Sequence, residues 1–173
     1  MESKAALHQF EEIAGHYVTE LDRYSLEQFR QKPAPEEWSL GQMYHHLLMS
    51  LRFQLGMIEK CAEGTGEPGR EKTGAGKHIF HVGEFPDMKI KLPDRPELIP
   101  ENPTDKKEVK EQLLETIEKI RELEPKIASI STNQKAHHPA LGWLNATEWF
   151  QLIPMHFRHH LRQKERLDQW VLQ

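Results

Sequence analysis

The sequence predicts an all-α protein, a single domain built as a four-helix bundle with one long crossover connection. Four segments, near residues 3–31, 39–62, 105–124 and 145–171, repeat apolar residues at three- and four-residue steps, which is the spacing of one helix face. The chain has 173 residues, which is enough for one domain with a core and short for two.

The first two predicted helices are separated by prolines. In the first, apolar residues recur from Leu7 to Tyr24, and the stretch QKPAPEE ends it because proline cannot continue a helix. The second begins at WSLGQ, where Ser39 can cap the helix while Gln42 reaches back in a capping box. Its apolar residues continue with helical spacing to Ile58.

Residues 64–104 form the predicted crossover connection. Six of the ten glycines fall within 64–83 and five of the eleven prolines within 86–103, so we expect no helix here. A connection this long inside a compact domain is usually functional or disordered. Apolar residues favour a loop that packs on the domain, with short extended pieces. These residues are Ile79, Phe80, Val82, Phe85, Met88, Ile90, Leu92, Leu98 and Ile99.

The third and fourth predicted helices each begin with a capping residue. The third opens at 104–105, with Glu108 placed for a capping box, and Pro125 is expected to disturb its end. A second, shorter loop, STNQKAHHPALGW, follows it. Asn145 is expected to cap the fourth helix, with Glu148 three residues further on.

Composition and charge exclude several classes of function. The net charge is −4 and no basic run occurs, which argues against a nucleic-acid-binding protein. The apolar runs are far shorter than a membrane span, and the segment MESKAALHQF has no apolar signal region. The single cysteine, Cys61, excludes an internal disulfide and is predicted to be a small core residue. We therefore expect a cytoplasmic protein with no nucleic-acid or membrane partner.

The fourth helix carries the most informative residues, in IPMHFRHHLRQ. Measured around the helix from His156, His160 lies about 40° away and Gln163 about 20° away on the other side. These polar residues occupy the middle of a stripe whose ends are apolar, so each needs a partner if the stripe faces the core. Histidines at positions i and i+4 can hold one metal ion.

His46, on the second helix, shares a stripe with mostly apolar residues and is predicted to point inward as well. Three neutral imidazoles from two helices, with one open coordination position, match a catalytic metal site. The histidines alone leave a second interpretation open, in which no metal is bound and histidine–glutamine hydrogen bonds occupy a wet core.

The other histidines are predicted to be loop, rim or surface residues. His159, beside the predicted ligands, is kept as a candidate pocket residue. His137 and His138 can border a pocket. The histidines weighed in this way are His45, His78 and His81 in HIFH, His137, His138 and His159.

The two blocks WSLGQMYHHL and HPALGWLNATEWFQLIPMHFRHHLRQKERL, in this order, resemble the DinB-like family, and the resemblance runs through most of the chain. By this resemblance the family's metal histidines fall on His46, His156 and His160, and the glutamine that commonly follows falls on Gln163. The adjacent His45 is the competing choice, and the spacing from the tryptophan favours His46. The resemblance implies an up-down-down-up bundle, a homodimer, and a divalent metal, zinc or nickel.

Proteins of this family carry out several reactions. Some transfer low-molecular-weight thiols such as bacillithiol or mycothiol to electrophiles or isomerise maleylpyruvate, and others are described as metal-dependent hydrolases. The resemblance therefore implies a metal-dependent thiol S-transferase, with a thiol such as bacillithiol as cosubstrate, or a hydrolase. Gln163 and His159 are the candidate pocket or positioning residues, and the catalytic residues are not identified. The alternative is a non-catalytic, metal-containing bundle that binds a partner or serves in a stress response.

A thiol transferase would need cationic groups at the mouth of its site. Arg158 and Arg162 flank the histidines, but they lie off the inward stripe and are expected to face solvent. The candidates in the predicted loop are Arg70, Lys77, Lys89 and Lys91.

Overall fold

A computed structural model describes residues 2–64, 69–87 and 98–173 of the chain. Within these ranges the protein is mostly helical, which agrees with the predicted class. The helices are α1 (Ser3–Glu20), α2 (Leu26–Arg30), α3 (Leu40–Ala62), α4 (Gly74–Val82), α5 (Lys106–Ile127) and α6 (Ala146–Val171). Two strands, β1 (Lys135–His138) and β2 (Gly142–Asn145), form an antiparallel hairpin. No described helix has the length and apolar character needed to cross a membrane.

The four long helices α1, α3, α5 and α6 surround one hydrophobic core. Helix α6 packs against α1 and α3, and α5 also packs against both. Aromatic rings fill the centre, where Tyr17 meets Tyr44 and Phe157 edge to face at centroid distances of 5.3 and 5.7 Å. Burying such rings supplies much of the free energy that holds the helices together. The up-down-down-up topology of a four-helix bundle stays a prediction.

The first predicted helix is shorter than expected. We expected a helix over residues 3–31, but α1 ends at Glu20, and a short 3-10 turn and the separate α2 follow. The break has a local cause, because Ser25 accepts a hydrogen bond from the Gln28 amide while the Gln28 side chain accepts one from the Ser25 amide. This capping box starts a new helix before the prolines are reached.

The predicted helix starts are largely as the structure has them. Ser39 and Gln42 form the expected capping box of α3, and Asn145 and Glu148 form a capping box at α6. The Asp105 side chain caps α5 by accepting a hydrogen bond from the Lys107 amide. The prediction of a capping box with Glu108 is therefore wrong.

The predicted end of the third helix differs from the structure. Helix α5 was expected to end near residue 124, but it continues through Pro125 to Ile127. The Ile127 side chain is buried in the core, and this packing offsets the backbone hydrogen bond that proline removes. Helix α6 likewise continues through Pro154.

The crossover segment contains a helix that we did not expect. The α4 helix begins after Thr73, whose hydroxyl accepts from the Gly76 amide, and ends at Gly83, which has a φ of +83°. A Cβ at Gly76 would lie 2.3 Å from the Leu141 carbonyl oxygen, so glycine lets α4 pack directly on the hairpin. The glycines that argued against a helix therefore serve its cap, its end and its packing.

Only some of the apolar residues of this segment pack as expected. Ile79 is buried, and Phe80 and Phe85 are partly buried against the core. Val82 and Ile99 are 50% and 57% exposed, so the expectation is wrong for them. Met88, Ile90 and Leu92 lie outside the described residues.

The second predicted loop is in fact the β1–β2 hairpin. Its turn is fixed from outside, because Thr73 donates its amide to the Leu141 carbonyl and Trp143 donates its amide to the Glu71 carbonyl. Gly142 adopts a φ of +83° in close contact with both Thr73 and Glu71. The strands therefore depend on contacts with the residues before α4, which no local pattern in the loop could have indicated.

A buried ion network joins α6 to the end of α1. Lys164 is only 2% exposed, and its ammonium group contacts Glu20 Oε2 at 2.7 Å and Asp168 Oδ2 at 2.6 Å. The Tyr24 hydroxyl donates to Asp168 from the other side. The two carboxylates offset the cost of burying the lysine charge.

Candidate metal centre

Three histidine rings from two helices converge between α3 and α6. The Nε2 atom of His156 lies 3.3 Å from Nε2 of His46 and 3.2 Å from Nε2 of His160. One nitrogen from each ring lies within 4.8 Å of the other two. These three residues, called here the histidine triad, form the only such group of histidine, cysteine or acidic side chains in the described ranges.

The helices hold the triad in place from its buried side. The two histidines of α6 lie one turn apart on the same face, and the packing of α3 against that face brings in the third. The Tyr17 hydroxyl on α1 donates to the Phe157 carbonyl at 2.9 Å, next to the site. The Tyr44 hydroxyl on α3 donates to the Tyr17 carbonyl at 2.8 Å. These bonds tie both helices that carry the triad to α1.

The spacing of the triad suits a single dication. Metal–imidazole bonds of about 2.0–2.1 Å at tetrahedral angles place neighbouring nitrogens about 3.3 Å apart, which agrees with the two separations of 3.2 and 3.3 Å. Hydrogen bonding alone satisfies the triad poorly, because a single proton on His156 Nε2 can serve only one of its two neighbours. The residues therefore fit a divalent ion held by three neutral nitrogens.

Gln163 fixes the orientation and tautomer of one triad ring. Its Oε1 atom lies 2.8 Å from Nδ1 of His160. An amide oxygen only accepts hydrogen bonds, so Nδ1 of His160 carries the proton and Nε2 presents its lone pair to the centre of the triad. A partner of this kind on the second ring nitrogen is typical of metal-binding histidines.

His156 has an unsatisfied nitrogen. Its Nδ1 atom is buried and has no hydrogen-bond partner among the described residues. Burying an unpaired polar atom costs about 1–3 kcal/mol. This cost indicates that the ring is retained for what its Nε2 atom contacts rather than for packing.

Burial keeps the triad neutral. It lowers the pKa of His46 to about 3, with a smaller contribution from the neighbouring His160 ring. Burial also lowers the pKa of His160 to about 4, although the Gln163 hydrogen bond opposes the shift. The pKa of His156 lies well below its usual value, again mainly because of burial. Neutral imidazole is the form that binds a metal.

Aromatic rings border the triad on two sides. The Trp38 ring lies 5.0 Å from the His46 ring, and the Phe85 ring lies 6.4 Å from the His156 ring. His159, the candidate pocket residue, packs between Phe85 and His160 at ring distances of 5.6 and 5.3 Å. Such apolar walls limit the access of water and strengthen electrostatic interactions inside.

The neighbouring histidines do not join the triad. His45 turns away from it, and its Nδ1 lies 3.2 Å from the Glu101 carbonyl oxygen, so of the doubled pair it is His46 that faces the site. His78 and His81 are exposed on α4 rather than in the predicted loop. His137 packs against a tryptophan of the hairpin.

The cations expected near the mouth mostly have other partners. Lys77 pairs with Glu71 at 2.7 Å, and the Arg70 guanidinium lies 5.7 Å over the Trp143 ring. Arg158, which was expected to face solvent, is half-buried and donates to Gln9. Lys89 and Lys91 lie outside the described residues. Arg162 pairs with Asp87 at 3.0 Å, and Asp87 follows the wall residue Phe85 by two residues in the sequence.

Sequence reasoning missed two parts of the site. The Trp38 and Phe85 walls depend on how loops return to the helices. The position of Trp38 before the α3 cap was its signal, and Phe85 was predicted only to pack on the domain. His138 was predicted to be a loop residue that can border a pocket, and the structure packs its ring 5.3 Å from the Trp149 ring, on the triad's stripe of α6.

Comparison with known proteins identifies the family. No curated protein matches the chain. The profile of the DinB superfamily matches residues 9–163, which include all three triad histidines and Gln163. This match confirms the resemblance seen in the two sequence blocks. The chain is a member of the DinB superfamily.

Proposed function

We propose that the protein is a metal-dependent enzyme whose divalent cation, zinc or nickel, is held by His46, His156 and His160. The proposal rests above all on the convergence of their Nε2 atoms, at separations of 3.3 and 3.2 Å, across two helices. Membership of the DinB superfamily supports it.

The donor set favours activation of an anionic nucleophile. Three neutral imidazoles leave the full double charge on the ion, and when bound the ion supplies Lewis acidity that favours the deprotonated form of a water or a thiol. The residues of the chain keep the three nitrogens unprotonated, orient one of them through Gln163, and border the site with aromatic rings. The fourth coordination position is then left to the substrate.

Thiol transfer is the reaction that the site supports best. In the described ranges no carboxylate oxygen joins the histidine cluster, so the ligand set is neutral and leaves the ion its full charge, which favours binding a thiol as the thiolate. A thiol, with a pKa near 8.5, needs far less help to lose its proton than water does. We therefore place a low-molecular-weight thiol S-transferase first, with a thiol such as bacillithiol as cosubstrate, and a hydrolase second.

A non-catalytic metal centre is the competing function. A neutral three-histidine set can also hold an ion that stabilises the bundle or a homodimer. The two possibilities differ in whether a small molecule can reach the ion. In a catalytic site an added thiol binds the ion, whereas in a closed structural site it does not.

Metal analysis tests the site itself. We expect about one zinc or nickel ion per chain in the purified protein and its loss in His160→Ala. His45→Ala is the matched control, because His45 is the neighbour of a triad residue and bonds instead to the Glu101 carbonyl. Equal metal content in the two variants would contradict the assignment of the triad.

Turnover assays then separate the reactions. The metal-loaded protein is mixed with bacillithiol and 1-chloro-2,4-dinitrobenzene, and separately with a panel of esters. Metal-dependent thioether formation supports the transferase, and metal-dependent ester cleavage supports the hydrolase. A loaded protein that binds neither thiol nor ester, and turns over neither, supports the non-catalytic centre instead.

A further inference from the structure

Two aromatic walls border the histidine triad, and they differ in how firmly the backbone holds them. Trp38 directly precedes Ser39, which is fully buried and caps α3. The Ser39 hydroxyl accepts a hydrogen bond from the Gln42 amide and donates one to Asn102 Oδ1 at 2.8 Å. These bonds fix the backbone next to Trp38, so we expect this wall to stay in place.

The second wall, Phe85, lies on a short strap, defined here as residues 83–87, that follows α4. Gly83, with a φ of +83°, ends the helix. Beyond it, no backbone hydrogen bond joins residues 84–87 to another described residue. Pro86 restricts Phe85 to an extended backbone, so the strap has little internal freedom and moves mainly about Gly83. Segments with few backbone hydrogen bonds open at a low cost in free energy.

The Phe85 ring packs the strap directly against the triad. Its centroid lies 6.4 Å from that of the His156 ring and 5.6 Å from that of the His159 ring. His159 in turn packs 5.3 Å from His160. His46 and His156 are only partly buried, so the triad lies close to the surface that this ring covers. Phe85 therefore covers one ligand directly and a second one through His159.

An ion pair fastens the far end of the strap to α6. Asp87 Oδ1 lies 3.0 Å from the guanidinium of Arg162, which follows the triad residue His160 by two positions. The Arg162 and Asp87 side chains are 55% and 70% exposed. Exposed pairs of this kind shift an equilibrium by only about 1.4- to 5-fold, and salt weakens them. The pair therefore favours the closed strap without preventing it from opening.

We propose that Phe85 controls which molecules reach the open coordination position at the triad, and that the Arg162–Asp87 pair sets how often the strap opens. The inference rests on the proposed function, because it concerns access to the metal ion of that site. A molecule enters while the strap is open and lies beside the Phe85 ring once it closes. The rate of entry, rather than the affinity of the triad for its ion, then depends on these three residues.

The rate at which a chelator removes zinc from the loaded protein measures this access. 4-(2-pyridylazo)resorcinol changes its absorbance when it takes the ion, and it must reach the ion to do so. We expect Phe85→Ala to raise the rate by about 2- to 12-fold, the range for one aromatic contact. Arg162→Gln and Asp87→Asn should each raise it by about 1.4- to 5-fold. The equilibrium zinc affinity should be unchanged in all three, because the triad is intact.

The variants also control for one another. Arg162→Gln and Asp87→Asn change the local charge in opposite directions, so acceleration by both identifies the pair rather than the electric field at the ion. Adding Arg162→Gln to Phe85→Ala should have no further effect, because the pair acts through the ring. Sodium chloride should speed zinc removal from the wild type more than from Arg162→Gln. Lys77→Gln is the matched control, because it breaks the exposed pair with Glu71 on the other side of Gly83.

The outcomes distinguish this inference from the proposed function. A wild-type protein that retains no zinc contradicts the proposed function, and the inference fails with it. A wild-type rate in Phe85→Ala, or opposite effects of Arg162→Gln and Asp87→Asn, overturns the role of the strap while the metal site stands. Faster removal in Trp38→Leu but not in Phe85→Ala would place the entrance at the other wall and would also overturn it.

Two further results are decisive for Phe85. If Phe85→Ala releases zinc faster only because its zinc affinity is weaker by the same factor, the ring helps to hold the ion and does not control access. If Phe85→Ala does not fold, Phe85→Leu replaces it, because leucine keeps an apolar side chain and removes the ring. An unchanged rate in Phe85→Leu would then overturn the inference, and a faster rate at unchanged affinity supports it.

Discussion

Acidification of the metal-free protein should unfold it through the histidine triad. In the folded chain the pKa of His46 is about 3 and that of His160 about 4, and the pKa of His156 is also strongly lowered. In the unfolded chain each is near 6.5. Above pH 6.5 both states are neutral and pH has no effect. As the pH falls from 6.5 toward 4, only the unfolded state gains protons, so the free energy of unfolding decreases.

The expected slope is large. Each histidine that stays neutral in the folded state adds up to about 1.4 kcal/mol per pH unit to the decrease. Three such residues add up to about 4 kcal/mol per pH unit, against a total stability of about 5–15 kcal/mol for an ordinary domain. The metal-free protein should therefore unfold cooperatively before pH 4 is reached.

Urea denaturation at a series of pH values, with a chelator present, measures this slope. We expect His46→Gln to reduce it by up to about 1.4 kcal/mol per pH unit. His8→Gln is the control, because the His8 side chain is 73% exposed on the surface of α1. An unfolding free energy that stays constant from pH 6.5 to 4.5, or equal slopes in wild-type and His46→Gln proteins, would refute the reasoning.

Three further substitutions test other contacts. Gln163→Ala should weaken zinc affinity by about 10- to 100-fold in calorimetry, because His160 loses its acceptor, and a large drop in the urea midpoint instead would make Gln163 a core residue. Lys164→Met should lower the free energy of unfolding in urea by about 3–5 kcal/mol, because two partly buried carboxylates lose their partner, and an unchanged midpoint would contradict this. Gly76→Ala should lower it by about 1–3 kcal/mol, because the new Cβ would lie 2.3 Å from the Leu141 oxygen, whereas Gly15→Ala, with open space around it, should not.

The long helices and the triad were accessible from the sequence because their signals are local. Helical spacing and the Ser39 cap located α3, and the spacing of His156 and His160 placed both rings on one face. That His46 meets them is a matter of tertiary packing: the residues alone predicted that it points inward and suggested a shared metal site, and the resemblance to a family implied that the three histidines share one metal ion. The break after α1 also had a local signal, the capping box at Ser25, which was overlooked in favour of the prolines.

The remaining features depend on contacts between distant parts of the chain. The hairpin is held by residues that precede α4, and α4 needs a glycine where it meets the Leu141 carbonyl. Lys164 lies on the inward face of α6, but its partner Glu20 is 144 residues away, so no local pattern indicated that the lysine would be buried. The hydrogen bonds that His138 Nδ1 accepts from the Ala140 and Leu141 amides likewise exist only once the hairpin turn has formed.

X-ray absorption at the K-edge of the bound metal tests most directly whether three imidazoles share one cation. We expect three imidazole nitrogens at about 2.0–2.1 Å from the ion, and the loss of this signal in His46→Ala. The sharing of one cation would be contradicted by a spectrum with fewer than three imidazoles or by a spectrum that is unchanged in His46→Ala. A protein that retains no metal would contradict it as well.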